Sequence, residues 1–230
     1  MLHTSTVEPR TLGLLKKLMS EPDLRDFTLV GGTALSLRIG HRQSYDLDLF
    51  GFPEALNIPM ISALLLDYGT IEPQTTSKNI FSALVNGIKV DFVRYQYPLL
   101  HPYSTEEGIR LASLEDIAAM KMAAITGRGR KRDFSDIYFL LKHFSLAEML
   151  ELFTQKYPDR NRFLVVKSLN YFEDAEEDDD PVFLQQADWK SIRKALKIAT
   201  AITCKQAEIE KLKEYKATLI NSAVTGKIKI

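Results

Sequence analysis

A single cysteine, Cys204, occurs in 230 residues, so no internal disulfide can staple the chain. That usage suits a reducing compartment. No apolar run approaches the length of a membrane span, and no cationic-then-apolar leader opens the sequence. These absences predict a soluble, cytoplasmic protein with no membrane partner. Bulk charge is missing too, since 30 Lys and Arg stand against 30 Asp and Glu. Contact with a polyanion must then come from a local patch and not from a whole-molecule field. What is present is ordinary for a globular chain, 45% hydrophobic and 26% charged residues, with length for one large domain or two modest ones.

The most informative segment runs from Val30 to Phe50. The apolar run Phe27–Val30 predicts a strand, and Gly31-Gly32 then opens a short helix. Glycines let a backbone approach a phosphate closely, and helix N-terminal amides favour anions. Further on comes Asp46-Leu47-Asp48 among Leu49 and Phe50. Residues two apart in a strand share a face, so Asp46 and Asp48 reach one site while Leu47 and Leu49 face the core. Two convergent carboxylates beside phosphate oxygens suit magnesium, which takes oxygen ligands and shares them with its substrate. This pattern reads as a metal-dependent phosphoryl or nucleotidyl transfer site, although Gly-Gly alone is a common turn and Asp-x-Asp alone is sometimes a solvent-facing pair.

Ahead of this segment, Leu12, Leu15 and Leu18 place a helix over Pro9–Met19, and after it a second helix is expected over Ile58–Tyr68. Phe81–Val85 and Ile88–Val93 flank Asn86-Gly87, the favoured two-residue hairpin turn. Ile88, Val90 and Phe92 alternate with Lys89, Asp91 and Val93, so Asp91 points away from the apolar set. It is either a third carboxylate beside Asp46 and Asp48 or a solvent-facing hairpin residue. Ser113 reads as the N-cap of a helix whose inward stripe is Leu114, Ile117, Ala118, Lys121 and Ile125. Lys121 sits where the period asks for an apolar residue: a snorkelling lysine, or an ammonium aimed at triphosphate oxygens. The basic cluster Arg128–Arg132 is a solvated loop or a polyanion contact. After it, Phe134, Ile137, Tyr138 and Leu141 form the expected packed stripe of a helix, with Asp133 and Asp136 off it.

The order Gly-Gly, spacer, Asp-x-Asp resembles the nucleotidyltransferase superfamily with the DNA polymerase beta-like fold. More narrowly, Gly31-Gly-Thr-Ala-Leu35 with His41-Arg-x-Ser-x-Asp-Leu-Asp-Leu-Phe50 is similar to the AbiEii/AbiGii toxin family of bacterial nucleotidyltransferases. Ile117-Ala-Ala-Met-Lys-Met-Ala-Ala124 matches that family's helix lysine motif. Arg130-Lys-Arg-Asp-Phe-Ser-Asp-Ile137 matches its Lys-x-Arg-Asp-x-x-Asp motif, with Arg130 for the first lysine. The resemblance implies an α+β fold with a mixed β-sheet core, flanking helices and a helical C-terminal half. It implies Asp46, Asp48 and Asp91 as ligands of two magnesium ions, and Lys121 and Asp136 as catalytic partners. Gly31, Gly32, Thr33, Arg42, Ser44, Arg132 and Asp133 would hold the nucleotide. The implied activity is transfer from a nucleoside triphosphate to an acceptor, RNA such as tRNA by analogy with relatives, with a cognate antitoxin as partner.

Glu173–Asp180, closed by Pro181, is acidic but bracketed by Tyr171-Phe172 and Trp189, which predicts an anchored acidic loop and not a linker. From Gln206 on, Ile209, Leu212, Lys216, Leu219 and Ala223 repeat at three and four residues, the pattern of a short amphipathic helix that needs a partner surface. The stretch from Ala207 to Ile228 is similar to the C-terminal end of type I restriction specificity subunits, without their DNA-reading domain. The expected organisation is a catalytic core over 1–105, a helical domain over 106–200 and a tail over 201–230. Two alternatives to the enzyme remain: a non-catalytic nucleotide- or antitoxin-binding module, or an accessory protein docking on a restriction–modification complex through the tail, which would equally serve self-association.

Overall fold

The computed structural model describes residues 1–52 and 54–225. Helix α1 (Pro9–Ser20) precedes strand β1 (Phe27–Val30), which turns into α2 (Gly31–Ile39) and returns as β2 (Leu47–Gly51). Helix α3 (Ile58–Leu66) leads to β3 (Ile71–Thr76), β4 (Ile80–Val85) and β5 (Ile88–Arg94). A short hairpin, β6 (Ser104–Glu106) and β7 (Ile109–Leu111), introduces the helical half. That half is α4 (Leu114–Ile125), α5 (Lys131–Leu140), α6 (Leu146–Lys156), α7 (Arg162–Ser168), α8 (Glu173–Glu176) and the long α9 (Trp189–Val224).

The strands make one mixed sheet in the order β3-β4-β5-β2-β1-β7-β6. β1 runs antiparallel to β2, while β2–β5 and β1–β7 are parallel. The central strands bury one face through Leu29, Leu47, Leu49, Val90 and Phe92, all 1% exposed or less. The expected hairpin is present, with Asn86 at φ 50° and Gly87 at φ 81°, the left-handed values its turn demands. Three strands were not expected. β6 and β7 have three residues each, too few to show a period. β3 is exposed after Ile71, and its register shifts between Pro73 and Thr75, because proline has no N–H for the ladder.

Helix α5 corrects a packing expectation. Phe134 and Ile137 are buried, but so are Asp133 and Asp136, both 0% exposed, whereas Tyr138 and Leu141 are only half-buried. The helix buries its charged face against α4 and α2. Its N-terminus has no cap of its own; Asp178 accepts a hydrogen bond from the Lys131 amide at 2.8 Å. The Lys131 ammonium reaches the Asp178 carbonyl and Asp180, and lies over the Trp189 ring. The acidic loop is thus anchored, with Phe134, Phe172 and Trp189 packed ring to ring beneath it.

The tail is a continuation and not a separate short helix. α9 runs 36 residues without a break, its first turns pinned by Ile192, Leu196 and Thr200 and its outer half exposed. The last residues of the expected tail, 226–230, lie outside the described residues.

Candidate active site

Gly31 opens α2 directly after β1 at φ +69°, and a Cβ there would lie 2.2 Å from the Asp48 carboxylate. A Cβ on Gly32 would meet the Arg42 guanidinium at 2.5 Å and the Ser44 hydroxyl at 3.2 Å. Absence of side chains at these two positions is what lets Asp48, Arg42 and Ser44 close around the start of α2. No side chain caps that N-terminus, so its amides face the site as anion donors.

β2 and β5 pair in parallel with Asp48 opposite Asp91, flanked by the buried pairs Leu47–Val90 and Leu49–Phe92. Alternation therefore puts both carboxylates on the face opposite the core, and Asp46, two residues before Asp48, joins them. Asp91 accepts hydrogen bonds from Ser82 of β4 and, at 2.7 Å, from Lys89. Asp46 pairs with Arg132 at 3.2 Å. A narrow cavity of about 60 Å3 sits among these groups, with Gly31, Gly32, Arg42 and Ser44 on one side, the three carboxylates on another, and Lys89, Lys121, Arg128 and Arg132 around them. Burial, and next the charge of Asp91, push the Asp48 carboxyl above the ordinary carboxylate range.

Beneath the cavity lies a buried charge network. Asp136 accepts from Arg42 Nε at 2.6 Å and Nη2 at 2.9 Å, pairs with Lys121 Nζ at 2.6 Å, and meets His41 Nε2 at 2.8 Å. Lys121 also donates to Asp133 at 2.9 Å, and Arg128 reaches Asp133 from the cavity side at 3.1 Å. Burial alone would raise both carboxyls and lower both cations. The opposite charges override it, holding Asp136 well below its ordinary value, Asp133 below it, and Lys121 and Arg42 above theirs. Burial lowers His41, whose Nδ1 has no hydrogen-bond partner among the described residues. Its Nε2 faces a carboxylate, which only accepts, so that nitrogen carries the hydrogen.

Among the residues expected at the site, Asp46, Asp48, Asp91, Lys121, Gly31, Gly32, Arg42, Ser44 and Arg132 all line the cavity. Three stand behind it. Asp136 and Asp133 are fully enclosed, and their oxygens hold Arg42, Lys121 and Arg128 in place. Thr33 is 0% exposed and spends its hydroxyl on Ser44 Oγ, 2.9 Å, and the Asp46 carbonyl. Two participants were missed. Lys89 was legible, since it lies two residues from Asp91 on the same face. His41 was marked only as part of the family motif, because nothing else local signals a histidine that will be buried against a distant aspartate.

Solved structures with the same architecture place the chain among the nucleotidyltransferase folds. MenT4, the nucleotidyltransferase toxin Rv2826c from Mycobacterium tuberculosis H37Rv, superposes with a TM-score of 0.54 at 17% identity, covering 84% of this chain and 87% of that one. JHP933 from Helicobacter pylori gives 0.53 at 19%, covering 92% and 99%. A putative nucleotidyltransferase from H. pylori gives 0.53 at 21%, covering 89% and 98%. The fold is thus that of the nucleotidyltransferases. The chain belongs to the AbiEii nucleotidyl transferase toxin family of type IV toxin–antitoxin systems, whose model matches residues 13–212. The uncharacterized Aquifex aeolicus protein aq_aa25 is 43% identical over 169 residues, 71% of this chain and 82% of its own length.

Proposed function

We propose that this toxin-family enzyme transfers a nucleotide from a nucleoside triphosphate to an RNA hydroxyl, with magnesium held by Asp46, Asp48 and Asp91. The observation that carries the reading is the placement of Asp48 opposite Asp91 on adjacent parallel strands, against a glycine that leaves no room for a Cβ. The donor set fits a hard divalent cation. Three carboxylates share one small cavity, and burial with mutual repulsion already disfavours the charge on Asp48. Among the described residues no three acid, histidine or cysteine groups converge tightly enough to hold a metal by themselves. Magnesium commonly takes one or two carboxylates and completes its shell with phosphate oxygens and water. Lys89 and Arg132, which neutralise Asp91 and Asp46, are then free to turn toward phosphate.

The remaining work belongs to the chain. The α2 amides, Ser44 and Arg42 bind the β- and γ-phosphates, and Lys121 neutralises charge that builds on the leaving pyrophosphate. Asp91 orients the acceptor hydroxyl and receives its proton as the new oxygen–phosphorus bond forms and the bond to pyrophosphate breaks. Bound magnesium would supply charge stabilisation at the attacking and leaving oxygens, two ions being the usual number for such an in-line displacement. His41, Asp133 and Asp136 hold the cations in place. Residues 1–105 form the catalytic core, residues 106–200 complete the site from the helical side, and 201–230 form an assembly tail that docks on a second copy, an antitoxin or a larger complex. No helix among the described residues is long and apolar enough to cross a membrane.

Incubation with each labelled nucleoside triphosphate, magnesium and total cellular RNA tests the reading. Label should enter a discrete RNA species with one triphosphate and vanish with a chelator. Absence of labelled RNA with all four triphosphates contradicts it.

A further inference from the structure

We propose that the aromatic cavity beside the carboxylates is the subsite for the terminal, unpaired nucleoside of a nucleic-acid acceptor. The proposal rests on the nucleotidyl-transfer reading and adds where the acceptor lies. The cavity, about 490 Å3, has Val30, Thr28 and Phe50 in its floor. Val30 is the register partner of Asp48, and Thr28–Phe50 is the next pair on the same sheet face. The cavity thus begins where the carboxylates end, on the side away from Arg42, Ser44 and the start of α2. An in-line displacement needs the attacking hydroxyl opposite the leaving group. With pyrophosphate at the α2 end, the acceptor must come from the Phe50 end.

Its chemistry suits a base. Phe50, Phe52, Tyr95, Tyr97 and Tyr103 line it, whereas the small cavity around the carboxylates has no aromatic wall and no room for a base. Aromatic faces hold splayed-out, unpaired bases by stacking. A second groove of about 500 Å3 shares Tyr95 and Tyr97 and carries Lys78 and Arg94. The Arg160 guanidinium lies 5.6 Å over the Tyr97 ring. Cations interleaved with aromatics favour a strand with a phosphate backbone over a free small acceptor.

The wall is also fixed by groups that the chemistry does not use. Lys156 and Asp116 are both fully buried and pair at 2.6 Å, outside the active site. Asp116 accepts from the Leu100 and His101 amides at 2.9 and 3.1 Å. Lys156 donates to the Pro98 carbonyl at 2.8 Å and lies 5.2 Å from the Tyr95 ring centre. A buried ion pair adds little stability over apolar residues of the same size. What this one does is hold residues 95–101 in a preformed wall.

Fluorescence of 2-aminopurine, quenched on stacking, tests the proposal with the full chain and magnesium. The probes are a short single-stranded RNA with 2-aminopurine as its 3′-terminal base, the same RNA labelled internally, and 2-aminopurine riboside triphosphate. Phe52 and Tyr103 are about half exposed, 55% and 45%, so Phe52→Ala and Tyr103→Ala should melt like wild type. Wild type should quench the terminal label more than the internal one. Each variant should weaken binding of the terminal probe about tenfold while the triphosphate probe binds as before. Loss of triphosphate binding in these variants would assign the cavity to the incoming base and overturn the proposal. So would terminal-probe binding that is absent in wild type or equal in all three proteins. A triphosphate probe that fails to bind wild type in a magnesium-dependent way would instead sink the underlying nucleotidyl-transfer reading.

Discussion

At Lys121, burial decides what a substitution does. The sequence allowed a snorkelling lysine or an ammonium aimed at triphosphate oxygens; the structure puts that ammonium between Asp133 and Asp136, 5% exposed. Breaking a buried pair strands an uncompensated charge, at a cost of about 3–5 kcal/mol. Lys121→Ala should therefore abolish turnover and also lower the melting temperature by about 10 °C; an unchanged melt would show that the network relaxes around the gap. Asp136 sets the sign of the acid response. Its folded-state value lies well below that of an unfolded aspartate, so its contribution is complete above about pH 4–5. That contribution drains away as pH falls toward the folded value. Asp136→Asn should flatten the acid limb of stability against pH, measured by denaturant midpoint, and a limb as steep as wild type would count against this origin. The glycines, Asp46 and Asp48 were legible because their spacing is local. The burial of Asp133 and Asp136 was not, because a helix stripe is read from apolar residues and these acids pack through partners up to 95 positions away.

Among the elements, the turn from β1 into α2 carries the tightest constraint. Gly31→Ala places a Cβ against the Asp48 carboxylate at a left-handed φ, and the strained backbone alone costs about 1–2 kcal/mol. Loss of transfer with a melting shift of a few degrees is expected. Gly32 has no such φ, so Gly32→Ala should cost less in melting than Gly31→Ala and raise the KM for the triphosphate by shifting the Arg42 guanidinium. Equal melting losses in both variants would contradict this division. The β4–β5 hairpin was readable from Asn86-Gly87 and alternation. β3 was not, since Pro73 and a polar run hide an edge strand whose pairing comes from β4.

For the molecule as a whole, the outer half of α9 exposes Ile209, Leu212 and Leu219, 50%, 62% and 42%. Sequence periodicity found this stripe but not that its helix is rooted in the helical half through Ile192 and Leu196. Burying a leucine is worth roughly 1.5–3 kcal/mol. Leu212→Asp with Leu219→Asp should thus shift an oligomer toward monomer in light scattering while transfer stays near wild type; a monomer before and after would leave the stripe without a self-partner. The central claim is the carboxylate pair across β2 and β5. Asp48→Asn keeps side-chain volume but removes one charge from the proposed metal site, where bound metal is worth several kcal/mol to the transition state. Transfer of an α-labelled nucleotide to RNA by Asp48→Asn, beside wild type at equal magnesium and matched melting temperature, should fall about a thousandfold or more. Transfer at the wild-type rate would contradict the assignment.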